Sequence, residues 1–253
     1  MSPVKRSMTR RSGGRACPGS GLRRLGAWMA GLATWLAASA VGAQPPPTPA
    51  PGAATEIALP PPRLQGPMPL EQTLAQRRSL RSFAATPLTL AEAGQLLWAA
   101  QGISDGKERR TAPSAGATYP LLLYLVAGRV EELPAGVYRY LPQGHRLAPV
   151  QQGDLRSPIA SAAYFQTWMR EAPAYVLISA LPARTAARYG QRAAARFVAI
   201  ESGAAAQNLL LQAVALGLGG TVVGAFNETA LRELLSLPAE AEVLAIIPVG
   251  RAR

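Results

Sequence analysis

From about residue 70 onward the chain alternates between short, unbroken apolar runs and longer stretches of helical composition. Leu121 to Ala127, Ala174 to Leu181 and Glu242 to Val249 are apolar without strict alternation, the pattern of strands buried on both faces. Gly136 to Leu141 and Arg146 to Val150 read as a hairpin closed through Pro142-Gln143-Gly144. Thr89-Leu90-Ala91-Glu92 has capping-box spacing, and the helix it opens carries Leu96, Leu97 and Ala100 on its apolar face. Thr185 to Leu216 is rich in alanine and leucine and contains no proline, which predicts one long, central helix. The pattern predicts an α+β fold, a sheet flanked by helices, in one domain over residues 70–253.

The amino-terminal part follows different rules. Basic residues from Lys5 to Arg24 precede an apolar run, Leu25 to Ala40, and Val41-Gly42-Ala43 supplies small residues before Gln44. Residues 1–43 are therefore expected to be a bacterial export signal, directing the protein to the periplasm or outside the cell. The apolar run falls short of the roughly 20 residues of a spanning helix, which favours a cleaved signal over an uncleaved anchor, and no stable membrane insertion is expected once the signal is cleaved. Arg23-Arg24 before the apolar run brings twin-arginine export into view, although the full pattern is missing. Residues 44–69, bracketed by Pro45-Pro46-Pro47 and Pro60-Pro61-Pro62, read as a linker or as an arm spanning Ile57 to Leu64.

Charge changes its meaning once the signal is set aside. The precursor carries +12, but seven of its 26 basic residues precede residue 44, leaving 19 against 14 acidic ones, a net of +5. A mildly basic body with few aromatics among its arginines does not favour a nucleic-acid partner. The chain holds one cysteine, Cys17, and one histidine, His145, which excludes a Cys/His metal cluster. His145 lies in the expected hairpin tip and reads as a solvated turn residue. Redox chemistry would have to come from a bound cofactor.

Arg77-Arg78-Ser79-Leu80-Arg81-Ser82-Phe83 gathers three guanidiniums and two hydroxyls within seven residues. It is either a solvated basic face or an anion nest, because arginine pairs bidentately with phosphate. Two distant segments favour the nest: Glu201-Ser202-Gly203 running on to Gly217-Leu218-Gly219-Gly220, and the terminal Ile246-Ile247-Pro248-Val249-Gly250-Arg251. With the arginine segment, they resemble the FMN-dependent nitroreductase family. Pro113-Ser114-Ala115-Gly116-Ala117-Thr118-Tyr119-Pro120 is similar to a loop of its azoline-oxidase-like subgroup.

The resemblance implies FMN as cofactor and a nitroreductase-like fold, with a central mixed sheet and the long helix at a homodimer interface. It implies phosphate and ribityl contacts from Arg77, Arg78, Ser79 and Arg81, completed by Arg251 or, in its place, Arg253. Pro113, Ser114, Ala115 and Gly116 would lie along the flavin of the neighbouring subunit. Val222, Val223 and Gly224 would run along the isoalloxazine edge, with Gly224 or a neighbour aiming an amide at N5. Small-molecule electron donors and acceptors would alternate at that site.

Two positions depart from the subgroup. Arg188-Tyr189 stands where azoline oxidases carry Lys-Tyr, and Gly203-Ala204 where they carry Gly-His. Arginine stays protonated and cannot act as a general base. Both changes argue against peptide azoline oxidation, and Tyr189 remains as a proton donor or as a packed interface residue.

Overall fold

The computed structural model describes residues 55–253; the expected export signal and the first proline cluster lie outside them. A seven-stranded sheet runs through the centre, built from β1 (Ile57–Ala58), β2 (Leu121–Ala127), β3 (Gly136–Leu141), β4 (Arg146–Gln152), β5 (Ala174–Ala180), β6 (Gly219–Gly220) and β7 (Glu242–Gly250). The strand order is β1-β4-β3-β2-β5-β7-β6, and every pair in it is antiparallel. Parallel pairing enters only through isolated bridges, Ser79 to Gly220 and Leu88 to Val130.

Helices cover both faces. On one side α2 (Leu90–Gln101) and α5 (Gln191–Ala215) bury Leu96, Leu97 and Leu209 against Leu123 and Leu125. On the other, α3 (Arg156–Ala162) and α6 (Glu228–Leu234) bury Ile159 and Leu231 with Tyr124 and Val126. The central strands β2 and β5 are buried at every position, which is why their sequences are apolar without alternation. Thr89 caps α2 as expected: its hydroxyl accepts from the Glu92 amide at 3.1 Å, and the Glu92 carboxylate accepts from the Thr89 amide at 2.9 Å.

Two expectations need correction, and a third gains detail. The helix expected from Thr185 to Leu216 is two helices, α4 (Ala183–Tyr189) and α5, divided at Gly190. Gly190 has φ 77° and ψ 159°, a conformation open to glycine, so it ends one helix and starts the next at an angle. Within the segment 44–69, read as a linker or arm, Ile57–Ala58 form the short strand β1 against β4, and Leu59 is buried. Pro60-Pro61-Pro62 then stops that strand, since proline has no amide to continue the ladder. His145 is not a solvated turn residue. Its Nδ1 lies 2.8 Å from the Tyr140 hydroxyl, its Nε2 is buried, and burial holds its pKa below the ordinary value, with the Pro60 carbonyl pulling the other way.

Candidate active site

The arginine segment follows α1 (Leu70–Gln76) and is fixed in place by its backbone. Leu80 donates its amide to Gly220 at 3.1 Å, Ala84 donates to Arg251 at 2.9 Å, and Phe83 bridges to Ala252. Phe83 is buried, so the segment is anchored through its apolar residue while Arg78, Ser79 and Arg81 stay exposed and Arg77 half-buried. None of the three arginines forms an ion pair among the described residues. Arg78 folds back on the carbonyls of Ala75 and Arg77 at 2.9 and 2.8 Å, and Arg81 lies 6.0 Å from the Trp168 ring.

Arg251 reaches this end of the sheet but is already engaged. It donates to the Glu92 carboxylate at 2.6 Å and to the Pro87 carbonyl at 3.1 Å. Glu92 thus caps α2 with one oxygen and clamps the carboxy-terminal segment with the other. Arg253 faces Glu171 at 3.4 Å. Of the arginine segment, Arg77 and Arg81 make neither an ion pair nor a side-chain hydrogen bond among the described residues, and Arg78 is engaged only by backbone carbonyls.

Beside them, β6 leads into the loop holding Val222, Val223 and Gly224. Val223 exchanges backbone hydrogen bonds with Ile246 at 2.8 and 3.0 Å and is buried, so its amide is not available to a ligand. Successive residues of an extended chain point their amides to opposite sides, which turns Val222 and Gly224 away from β7. Val222 is 47% exposed, and a side chain added at Gly224 would meet nothing within 4 Å. This open edge suits the close approach of a flat ligand. Nearby, Asn227 donates its amide to the Ala162 carbonyl at 2.8 Å, bringing up Tyr164 and Phe165. These two aromatics are 65% and 73% exposed with φ of 53° and 57°, the left-handed region that is costly for such residues.

The Pro113-to-Tyr119 loop is held by side chains instead. Glu201, 3% exposed on α5, accepts the Ala115 amide at 2.7 Å through Oε1. The Ser114 hydroxyl accepts the Tyr119 amide at 2.9 Å, and the Thr118 and Thr185 hydroxyls meet at 2.9 Å. Gly116 takes φ 57°, and its carbonyl accepts from Arg188 at 3.1 Å. Tyr189 packs edge-on against Phe197 at 5.1 Å, with its hydroxyl against Gly116.

The pairing places the two groups at opposite ends of the sheet. Leu121, which follows the loop, pairs with Ala180, whereas Ala127 and Val249, beside the arginine segment, both pair with Ala174. Seven strand residues separate the ends by about 20 Å. One chain therefore joins Arg77, Arg81, Val222 and Gly224 at one end, and Pro113, Ser114, Ala115, Gly116 and Tyr189 at the other. Sequence reasoning placed Glu92 in its capping box but missed its clamp on Arg251, the exposed aromatics and the role of Glu201. Glu201 carried a readable signal, because it falls in the buried stripe of Val198, Ser202, Ala205 and Leu209, where an acid needs a partner.

Among the described residues no group of histidine, cysteine or carboxylates could hold a metal ion, and no helix is long and apolar enough to cross a membrane. Residues 74–251 match the family described as the nitroreductase family. A nitroreductase-family protein of Methanocaldococcus jannaschii is 40% identical over 182 residues, 72% of this chain and 90% of that protein. A solved structure of a nitroreductase-family protein from Ralstonia eutropha JMP134 superposes with a TM-score of 0.68 at 32% identity, covering 80% of this chain and 91% of that one. The NADPH:FMN oxidoreductase of Vibrio harveyi, solved with NAD+, shares the fold at a TM-score of 0.53 and 22% identity, over 72% of this chain and 68% of that one. The match spans both ends of the sheet and the segments that build them, and the chain belongs to the nitroreductase family.

Proposed function

We propose that the protein is an FMN-dependent oxidoreductase that works as a homodimer after export to the periplasm. The observation that carries this reading is the bridge from Ser79 to Gly220, which sets two cations without ion-pair partners, Arg77 and Arg81, beside the open backbone edge at Val222 and Gly224. The donor set fits a flavin phosphate: guanidiniums and a hydroxyl for the dianion, and small residues for the ring. The Vibrio harveyi relative, an FMN oxidoreductase by name, points the same way. When bound, FMN would supply hydride transfer through N5, taking electrons from NAD(P)H or another donor and passing them to a nitroaromatic, quinone or similar acceptor.

The residues of this chain divide the remaining work. Arg77, Arg81 and Ser79 bind the phosphate end, while Arg251 orders the segment through Glu92. Gly224 or Val222 offers the backbone amide toward N5. Pro113, Ser114, Ala115 and Gly116 cover the cofactor of the partner subunit, which accounts for their distance from the arginines of their own chain. Tyr189 stands behind Gly116 as the proton donor nearest that cover. Arg188, a permanent cation bound to the Gly116 carbonyl, fills a positioning role, so the reading excludes azoline oxidation that needs a base there. Nicotinamide cofactors are scarce outside the cytoplasm, so an exported enzyme would draw on another reductant.

The visible spectrum of the purified protein, with release and identification of the chromophore, tests this directly. FMN should be present, and Arg77→Ala or Arg81→Ala should weaken its binding on the order of 10- to 100-fold, the worth of one charge-assisted hydrogen bond. A colourless protein that takes up no added FMN overturns the reading and leaves a binding role for the fold.

A further inference from the structure

The central sheet is split at the end away from the arginine segment. β2 and β3 pair from Ala127 with Gly136 to Tyr124 with Arg139, and there their ladder stops. β2 continues against β5 to Leu121, and β3 continues against β4 to Leu141, so the two strands diverge. The gap between them is a cavity of about 110 Å³ whose polar lining comprises Gln101, Arg110, Tyr119, Arg139, Tyr140 and Arg184. Arg139 and Tyr140 are consecutive residues of β3 and approach it from opposite faces of the sheet.

The charge around this cavity is one-sided. Three of its side chains are guanidiniums and none is a carboxylate. Arg110, Arg139 and Arg184 form no ion pair among the described residues. Arg184 is aimed by its bond to the Tyr119 carbonyl at 3.0 Å. Arg110 donates to the Gln101 carbonyl at 3.2 Å and lies 5.2 Å from the Tyr119 ring, but its Nε is buried without a partner. Burial holds the Arg110 pKa below the ordinary value; Tyr119, Tyr140 and the exposed Glu108 oppose that only in part, and a guanidinium keeps its proton regardless. Arg110 is half-buried, but a buried, unmet Nε on a cation is costly, and an oxyanion answers both needs at once.

We infer that this split is a second anion site, which takes a small oxyanion, a carboxylate or phosphate group, held by Arg110, Arg139 and Arg184 with the Tyr119 and Tyr140 side chains beside it. The cavity admits a group of a few heavy atoms. The ligand is thus a free ion or the acidic end of a larger molecule that reaches in past Tyr119. Tyr119 has φ 44° and is the last residue of the Pro113-to-Tyr119 loop before Pro120, so occupancy would stiffen that loop. The site is separate from the arginine segment and does not depend on the flavin reading.

The test is calorimetric titration of the full-length protein carrying Arg77→Ala and Arg81→Ala, which removes the other candidate phosphate site. Sodium phosphate, sulfate and acetate are titrated against sodium chloride at matched ionic strength. Saturable binding of at least one oxyanion, at one per chain, is expected, weakened on the order of 10- to 100-fold by Arg139→Gln or Arg184→Gln. Arg139 is exposed and holds no part of the loop, so Arg139→Gln should melt with its parent and separate lost binding from lost folding. Preference for phosphate identifies a free ion as the source, and preference for acetate identifies a carboxylate-bearing molecule. Absence of saturable heat with every oxyanion, or binding unchanged in both glutamine variants, overturns the inference.

Discussion

The two ends of the sheet are built by opposite means. At the arginine end, distant segments are joined through their backbones, Leu80 to Gly220 and Ala84 to Arg251, and buried Phe83 holds the chain down. Side chains there are left over for a ligand. At the other end, the Pro113-to-Tyr119 loop is held by side chains acting on its backbone: Glu201 on Ala115, Arg188 on Gly116, Arg184 on Tyr119. What remains exposed is the loop's own shape. The first arrangement suits charge recognition and the second suits covering a surface, and the roughly 20 Å between them is what the proposed homodimer would bridge, one subunit's loop covering the cofactor of the other.

The largest effect would come from separating the ends between chains. A chain with Arg77→Ala and Arg81→Ala keeps a sound loop, and a chain with Gly116→Trp keeps sound arginines. A Cβ at Gly116 would already lie 2.5 Å from the Tyr189 hydroxyl, so tryptophan must push aside the Tyr189 and Arg188 side chains, and at φ 57° it also strains the loop backbone. Each homodimer should bind FMN poorly. Co-expressed with different purification tags, the heterodimer should recover one intact site, read as bound flavin per dimer. A heterodimer as empty as its parents would show that both ends act within one chain, or that they serve different ligands.

A smaller effect is expected at the anchor of the loop. Glu201→Ala removes the acceptor of the Ala115 amide and leaves that donor unmet, at a cost of about 1.5–3 kcal/mol. For a domain of this size that lowers the melting temperature by roughly 5 °C. Glu201→Gln keeps an acceptor oxygen in place and should lose less. Equal losses in the two variants would show that the charge, rather than the hydrogen bond to Ala115, secures the loop.

What could be read in advance follows the same division. The strands at Leu121 and Ala174 and the cap at Thr89 rest on residues within a few positions of one another, so pattern and spacing located them. The arginine cluster was legible because its residues are adjacent. The engagement of Arg251 by Glu92 was not, since 159 positions separate the partners and either could have faced water. The break at Gly190 was hidden by alanines on both sides, which argue for helix more strongly than one glycine argues against it. Val223 could not be told from Val222 and Gly224 either, because which amide faces outward is set by register against Ile246.

The smallest effect is one of pH, at the hairpin tip on the loop end. Burial depresses the His145 pKa in the folded protein below its value of 6.5. The unfolded chain therefore binds a proton at a higher pH than the folded one. Stability from this group is fully present above about pH 6.5 and declines as pH falls toward and through the folded value, with a slope of at most about 1.4 kcal/mol per pH unit for one proton. His145 is the one histidine in the chain, so no other imidazole contributes to that window. Asp154, whose pKa Arg156 holds down through its hydrogen bond, acts with the same sign but below the ordinary carboxylate range. Melting temperatures taken between pH 7 and 5 should fall in the native protein and stay nearly level in His145→Gln, where the amide can still accept from Tyr140. A parallel decline in both proteins would place the titrating group elsewhere and return His145 to the solvated role its position in the hairpin suggested.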